Sequence, residues 1–188
     1  MTWSLNSHDT KTDNDRFDLK IKLRREALQE AKLNNINVLD VFAGENHIWK
    51  KLGYDTYQGI EIEVGKGDNN IYGDNLKIIP NLNLSKYNII DLDSYGIPFP
   101  QMELVLNSNQ LQKGTLIIYT ATNNSISNLN KSCIEYFGVE EIYKENKSML
   151  NGYGLNMFYG MLYDKGVKKI KEYNIDKNYK KRYGYFII

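Results

Sequence analysis

The chain is poor in the residues that make covalent and metal-held structure. Its 188 residues include one cysteine, Cys133, and two histidines, His8 and His47. A single cysteine excludes an internal disulfide and points toward a reducing compartment. With no paired cysteines and two isolated histidines, the composition argues against a zinc site, and no metal is expected. No stretch is apolar for long enough to cross a bilayer. The opening segment, MTWSLNSHDTKTDNDRFD, lacks the apolar core of a secretory signal. The expectation is therefore a cytoplasmic protein that makes no use of a membrane. An excess of one charge is also missing: 24 Lys and Arg face 23 Asp and Glu, for a net charge of +1. The molecule as a whole is not a polycation. Neither an internal repeat nor a domain linker is visible.

What remains is ordinary for a globular protein, with 41% hydrophobic and 25% charged residues. The length suits one domain with a sizeable core. Residues 1–15 are polar and aperiodic and read as a flexible arm, leaving 16–188 as the domain. From Phe17, Leu19, Leu23, Ala27 and Ala31 recur four apart among charges, the pattern of an amphipathic helix that stops at the asparagines of LNNIN. NVLDVFAG then reads as a buried strand, NHIWKKLGY as a short helix and TYQGIEIEV as a second strand. IYGDNLKIIPNL holds a short strand or turn and a helical turn. YNIIDLD is a further strand, PQMELVLNSNQLQ a helix and GTLIIYTAT a strand. SISNLNKSCIEYFG reads as a helix capped by Ser125 and stopped by Gly138, and another helix begins near Gly154. VKKIKEYNI and RYGYFII close the chain as a hairpin. Alternating strands and helices predict an α/β fold: a doubly wound, mostly parallel sheet with a terminal antiparallel hairpin.

In such sheets ligands bind beyond the carboxyl ends of the strands. The first strand end, DVFAGENH, offers Asp40 and then the small residues Ala43 and Gly44, which let backbone amides approach a ligand. The second offers Glu61, twenty-one residues after Asp40 and suited to accept two ribose hydroxyls. The third offers Asp74 and Asn75. The fourth, NIIDLDSYGIPF, places Asp91 and Asp93 two apart, on one face of a strand.

From residue 36 onward this series resembles the S-adenosylmethionine-dependent methyltransferases, a Rossmann-like family. VLDVFAG stands at their first motif, GIEI at the second, GDN at the third and DLDSYG at the fourth. A seven-stranded order with a late antiparallel hairpin is similar to theirs too. The resemblance implies S-adenosylmethionine as cofactor, bound by Asp40, Phe42, Ala43, Gly44, Glu45, Asn46, Glu61, Ile62, Asp74, Asn75 and Asp91. Asp40 would lie near the methionine amino group, Gly44 beneath the cofactor and Glu61 on the ribose. Asp74 and Asn75 would flank the adenine. Phe42 and Asn46 replace two of the family's usual glycines. An NAD-type Rossmann protein is the rival fold, but GENHIW does not supply its G-x-G-x-x-G turn.

DLDSYG further resembles the Asp-Leu-Asp-Pro-Tyr-Gly of the tRNA guanine-N2 dimethyltransferases. That implies Asp93 as the acceptor of an exocyclic amine's hydrogen bond and Tyr95 as the residue stacking on the base. Ser94 takes the proline's place, losing a fixed φ. The expected partner is nucleic acid, tRNA or DNA. The basic C-terminal stretch, with Lys165, Lys168, Lys169, Lys171, Lys177, Lys180, Lys181 and Arg182, is either a phosphate-binding rim or a solvated hairpin. Arg24 and Arg25 are candidates for the same rim. A second function stands beside the enzyme: an inactive methyltransferase-like protein that sequesters a partner or the cofactor. A third is methylation of a small molecule.

Overall fold

The computed structural model describes residues 16–122, 129, 131–150, 152–174 and 181–188. The arm read over 1–15, the Ser125 cap, Lys177 and Lys180 lie outside them.

Seven strands form one sheet: β1 (Asn37–Asp40), β2 (Thr56–Glu61), β3 (Asn70–Tyr72), β4 (Ile89–Asp93), β5 (Leu116–Thr122), β6 (Lys171–Asn174) and β7 (Lys181–Ile187). Their order is β3-β2-β1-β4-β5-β7-β6. The first five run parallel. β7 enters antiparallel between β5 and β6. Seven helices are described: α1 (Phe17–Ala31), α2 (His47–Leu52), α3 (Asn75–Ile78), α4 (Phe99–Leu106), α5 (Lys131–Tyr136), α6 (Glu140–Glu145) and α7 (Gly154–Asp164). The doubly wound sheet with a terminal antiparallel hairpin is the one the sequence predicts. α6 is an addition. Its sequence, EEIYKE, has no apolar stripe and buries no residue, so periodicity is silent about it.

Strand alternation divides the core in two. On one face, Val38, Ile89, Leu116 and Ile118 pack with Leu23 and Ala27 of α1 and Trp49 of α2. On the other, Leu39, Ile90, Leu92, Ile117 and Tyr119 pack with Met102 of α4 and Phe158, Met161 and Leu162 of α7. Each such aliphatic side chain, fully buried, stabilises by about 1.5–3 kcal/mol before entropy is set against it. The α1 face changes character toward the carboxyl ends of the strands. Positions two beyond Val38, Ile89 and Ile118 are Asp40, Asp91 and Thr120. Strand order also reverses between β1 and β4, which opens a crevice at this same edge.

α1 stops one residue after Ala31, where Lys32 takes a left-handed conformation (φ 49°) and donates its N–H to the Leu28 carbonyl. The asparagines follow that stop. Lys20 and Arg24 are buried in the same helix face as Leu23 and Ala27. They point past the apolar strand residues to the acids at the sheet's edge.

Candidate functional site

A cavity of about 970 Å³ opens over the carboxyl ends of β1, β2 and β4. Its wall includes Asp40, Phe42, Ala43, Gly44, Glu45, Asn46, Glu61, Ile62, Asp74, Asn75, Asp93 and Tyr95, together with Lys20, Arg24, Lys66, Gln101, Thr120 and Lys181. Twelve of the thirteen residues named from the sequence therefore meet in one place. Asp91 is the exception. It lies under the cavity, 1% exposed, and its oxygens are taken from beneath.

The turn after β1 is built around Glu61. Gly44 N–H donates to Glu61 Oε2 at 2.8 Å. Ile62 and Glu63 N–H donate to Oε1 at 2.9 and 3.1 Å. Glu61 thus holds the first and second strand ends together. Three of roughly four lone-pair directions of this carboxylate are in use, so a ribose diol would have to replace at least one backbone donor. Gly44 sits at φ 53° with open space where a Cβ would project, which suits close approach of a ligand to backbone. Gly59 on β2 lies under the same turn, where a Cβ would come within 2.6 Å of Ala43 Cβ.

Asn46, at the N-terminus of α2, is left-handed (φ 58°) and 3% exposed. Among the described residues neither of its side-chain amide atoms has a hydrogen-bond partner. A buried, unsatisfied amide is costly, and this one borders the cavity. Asp74 caps α3 by accepting from Leu76 N–H at 3.0 Å. The Asn75 amide donates to the Val41 carbonyl at 3.3 Å and accepts from Gln101 at 2.9 Å, tying β1 to α4. Glu45 is hydrogen-bonded to His47.

The floor is an ion cluster that strand register creates. Asp40 and Asp91 are direct neighbours across β1 and β4, and Asp93 is opposite Thr120 on β5. Arg24 donates to Asp91 through Nε at 2.7 Å and Nη2 at 2.9 Å, and to Asp93 Oδ2 at 3.3 Å. Its Nη1 donates to the Lys20 carbonyl at 3.2 Å. Trp49 Nε1 donates to Asp91 at 2.8 Å. Lys20 Nζ lies 2.9 Å from Asp93 Oδ2, and the Thr120 hydroxyl donates to Asp93 Oδ1 at 2.5 Å. The two acids do share a face, as their spacing predicts, and a guanidinium bridges them. Arg24 itself is 2% exposed, at the cavity floor rather than on the rim where the sequence reading put it; Arg25 is exposed.

Charge is distributed unevenly over this floor. Burial opposes ionisation of Asp93, but the charges of Arg24 and Lys20 and the Thr120 hydroxyl outweigh it and hold its pKa below the ordinary 3.8. Asp40 has the opposite fate. Burial and then the charge of Asp91 push it well above that value, against the weaker pull of Arg24. It accepts only the Phe42 N–H and the Tyr57 hydroxyl, both at 3.3 Å, among the described hydrogen bonds. Two cations serve three buried carboxylates, and Asp40, the one short of a partner, faces the cavity.

Ser94 is 8% exposed. Its N–H donates to the Leu92 carbonyl at 2.9 Å, a bond a proline could not make. Its hydroxyl lies 2.8 Å from the Gly96 carbonyl and 3.0 Å from that of Thr120. Gly96 in turn accepts from Thr122 N–H at 3.0 Å. Hydrogen bonds thus fasten to β5 the loop that a proline ring would have stiffened. Tyr95 stands out from it, 78% exposed at the cavity mouth. Sequence reasoning missed Lys20, Thr120 and Trp49. No local pattern marks them: a lysine and an arginine four apart on a helix read as a solvated face.

No family model and no curated protein matches the chain. Solved structures do. A SAM-dependent methyltransferase from Archaeoglobus fulgidus aligns over 90% of this chain and 93% of its own, at 13% identity and a TM-score of 0.51. Trm1 from Pyrococcus horikoshii, solved with S-adenosyl-L-methionine, aligns over 89% of this chain at 15% identity and a TM-score of 0.54; the chain spans 54% of it. The SAH-bound methyltransferase PaMTH1 of Podospora anserina aligns over 89% of this chain and 78% of its own, at 10% identity and a TM-score of 0.51. At these identities the likeness establishes the fold, which is the Rossmann-like fold of the class I methyltransferases.

Proposed function

We propose that the chain is an S-adenosylmethionine-dependent methyltransferase acting on an exocyclic amine of a nucleic-acid base. The observation that carries the reading is Asp40: a buried carboxylate short of a cation, at the cavity's floor, beside a glycine turn and below Glu61. That arrangement suits a ligand bearing positive charge at one end and a ribose in the middle. The residues present fit the cofactor. Asp40 would hold its ammonium, Glu61 its ribose hydroxyls, and Asp74 and Asn75 its adenine. The orphaned Asn46 amide would find donors and acceptors at the amino-acid end. When bound, the cofactor supplies a methyl group on a sulfonium, activated for attack by an amine.

The chain's own work is orientation. Asp93 is kept ionised by its neighbours and can accept a hydrogen bond from the acceptor's N–H, turning the nitrogen lone pair toward the cavity. Tyr95, exposed beside it, offers a stacking face of the kind worth about 1–3 kcal/mol per base. Phe42 and Ile62 supply apolar wall to the cavity. For the partner, the support is Lys181, which borders the cavity; Lys165, Lys168 and Lys169 are exposed but precede β6 at its amino end, where Lys171 pairs with Glu30 of α1, away from the cavity. The neighbour Trm1, solved with S-adenosyl-L-methionine, supports the cofactor part of this reading at low identity.

One observation favours a second reading, a methyltransferase-like protein that binds without transferring. Asp93 already receives Thr120, Arg24 and Lys20. Tritiated methyl transfer to bulk tRNA and to DNA decides. Label in nucleic acid, lost in Asp93→Ala while cofactor binding persists, is the expected result. Cofactor binding with no transfer to either polymer sinks the proposed activity and favours the second reading.

A further inference from the structure

Asp93 is crowded, and its three partners are not equal. Thr120 is fixed on β5, opposite Asp93 in register. Arg24 is fixed by two hydrogen bonds to Asp91 and one to the Lys20 carbonyl. Lys20 reaches Asp93 on a flexible four-carbon stem, and it borders the cavity. Two of the three, Lys20 and Arg24, share Oδ2, while Thr120 takes Oδ1; with two lone pairs per oxygen, Oδ2 is full. An amine approaching Oδ2 from the cavity therefore meets Lys20.

The ammonium of Lys20 is the same kind of donor as the amine it faces: N–H groups on a small, strongly hydrated head. Its Nζ also lies 5.6 Å from the centroid of the Tyr183 ring. A short swing off Asp93 leaves it within reach of that second attraction. Arg24 offers no such exit, because moving it would leave Asp91 buried and uncompensated.

We infer that Lys20 is the gate of the acceptor end: its ammonium occupies the seat on Asp93 that the acceptor's N–H takes, and an acceptor is admitted by displacing it. This rests on the proposed methyltransferase function and adds a specificity rule to it. Groups that donate N–H to a carboxylate displace Lys20. Groups lacking that donor leave the Lys20–Asp93 pair closed. It also accounts for a filled Asp93 without abandoning transfer.

The test reads Lys20 itself. The full chain, saturated with S-adenosylhomocysteine, is acetylated under limiting reagent, and each lysine's rate is followed by peptide mass spectrometry. Lys22, on the same helix with a side chain 66% exposed, is the internal reference. Lys20 should react slowly beside it and several-fold faster in Asp93→Asn. Guanosine, adenosine or cytidine at millimolar concentration should accelerate Lys20 in the wild-type chain. Purine riboside, whose base carries no N–H at all, should not. No acceleration by any amine-bearing nucleoside, or equal acceleration by purine riboside, overturns the gate.

Kinetics give a second check. Lys20→Met should raise kcat/KM for bulk tRNA or DNA about tenfold, the scale of one charge-assisted hydrogen bond no longer to be displaced. An unchanged or lower value, or no transfer by either protein, overturns the inference. Titrating the wild-type chain with S-adenosylmethionine keeps the two failures apart. Heat of binding without gating removes Lys20's role alone. No heat removes the proposed function with it.

Discussion

At the residue scale, the site is a problem of charge in a place with little water. Asp91 is held by two Arg24 hydrogen bonds and the Trp49 indole. Arg24→Met should cost about 3–5 kcal/mol, because it strands a buried carboxylate; urea unfolding monitored by circular dichroism checks it, and a change within experimental error would contradict the ion cluster's role. Asn46→Gly should act the other way. It relieves a left-handed conformation and an unsatisfied buried amide, so stability should rise by about 1–2 kcal/mol, while affinity for S-adenosylmethionine falls. Asp40 makes a pH prediction. Its folded pKa is raised, so between the ordinary carboxylate value and that raised value it is protonated. A cationic ligand binds the ionised form better and must release the proton. Affinity for the cofactor should therefore rise with pH across that window, and calorimetry in buffers of different ionisation enthalpy should detect proton release. Uptake, or no proton exchange anywhere in the window, would place the ligand's charge elsewhere.

At the scale of elements, two pieces bring the cluster together. α1 delivers Lys20 and Arg24 because Leu23 and Ala27 seat it on Val38 and Ile118. β2 sets the height of the glycine turn, since Gly59 leaves only enough room for Ala43 and Asn70. Gly59→Ala should cost about 1–3 kcal/mol through overpacking and should weaken cofactor binding, because the strain falls on the turn carrying Gly44. A variant that loses stability but binds normally would detach the turn from the site. Much of this level is legible in the sequence. The i+4 pattern from Leu19 to Ala31 finds α1, and the apolar runs find β1, β4 and β5. Periodicity could not report that Lys20 and Arg24 are buried. A lysine and an arginine four apart read as a solvated face unless one knows which acids lie opposite, and that depends on strand register across β1, β4 and β5. The same limit hid the fate of Asp91. Its spacing from Asp93 was readable, but not that Arg24 and Trp49 approach it from below and withdraw it from the cavity.

At the scale of the whole molecule, the strand order reverses beside β1 and every strand end read from the sequence opens on the same crevice. Alternation of strands and helices made the mostly parallel, doubly wound sheet readable; α6, without an apolar stripe, was not. The molecule's charge is nearly balanced, so any nucleic acid must be held by local lysines around the cavity, such as Lys66 and Lys181. If about four phosphates on a single strand are neutralised there, affinity for tRNA should fall roughly fiftyfold between about 50 and 200 mM salt. A salt-independent affinity would favour a small-molecule acceptor. The expectations about binding and transfer depend on the cavity taking S-adenosylmethionine. Isothermal titration of the chain with that cofactor is the direct test. The account predicts saturable heat with a Kd below about 100 µM, near −5.5 kcal/mol, weakened at least about tenfold in Glu61→Ala. No heat at millimolar cofactor would contradict it.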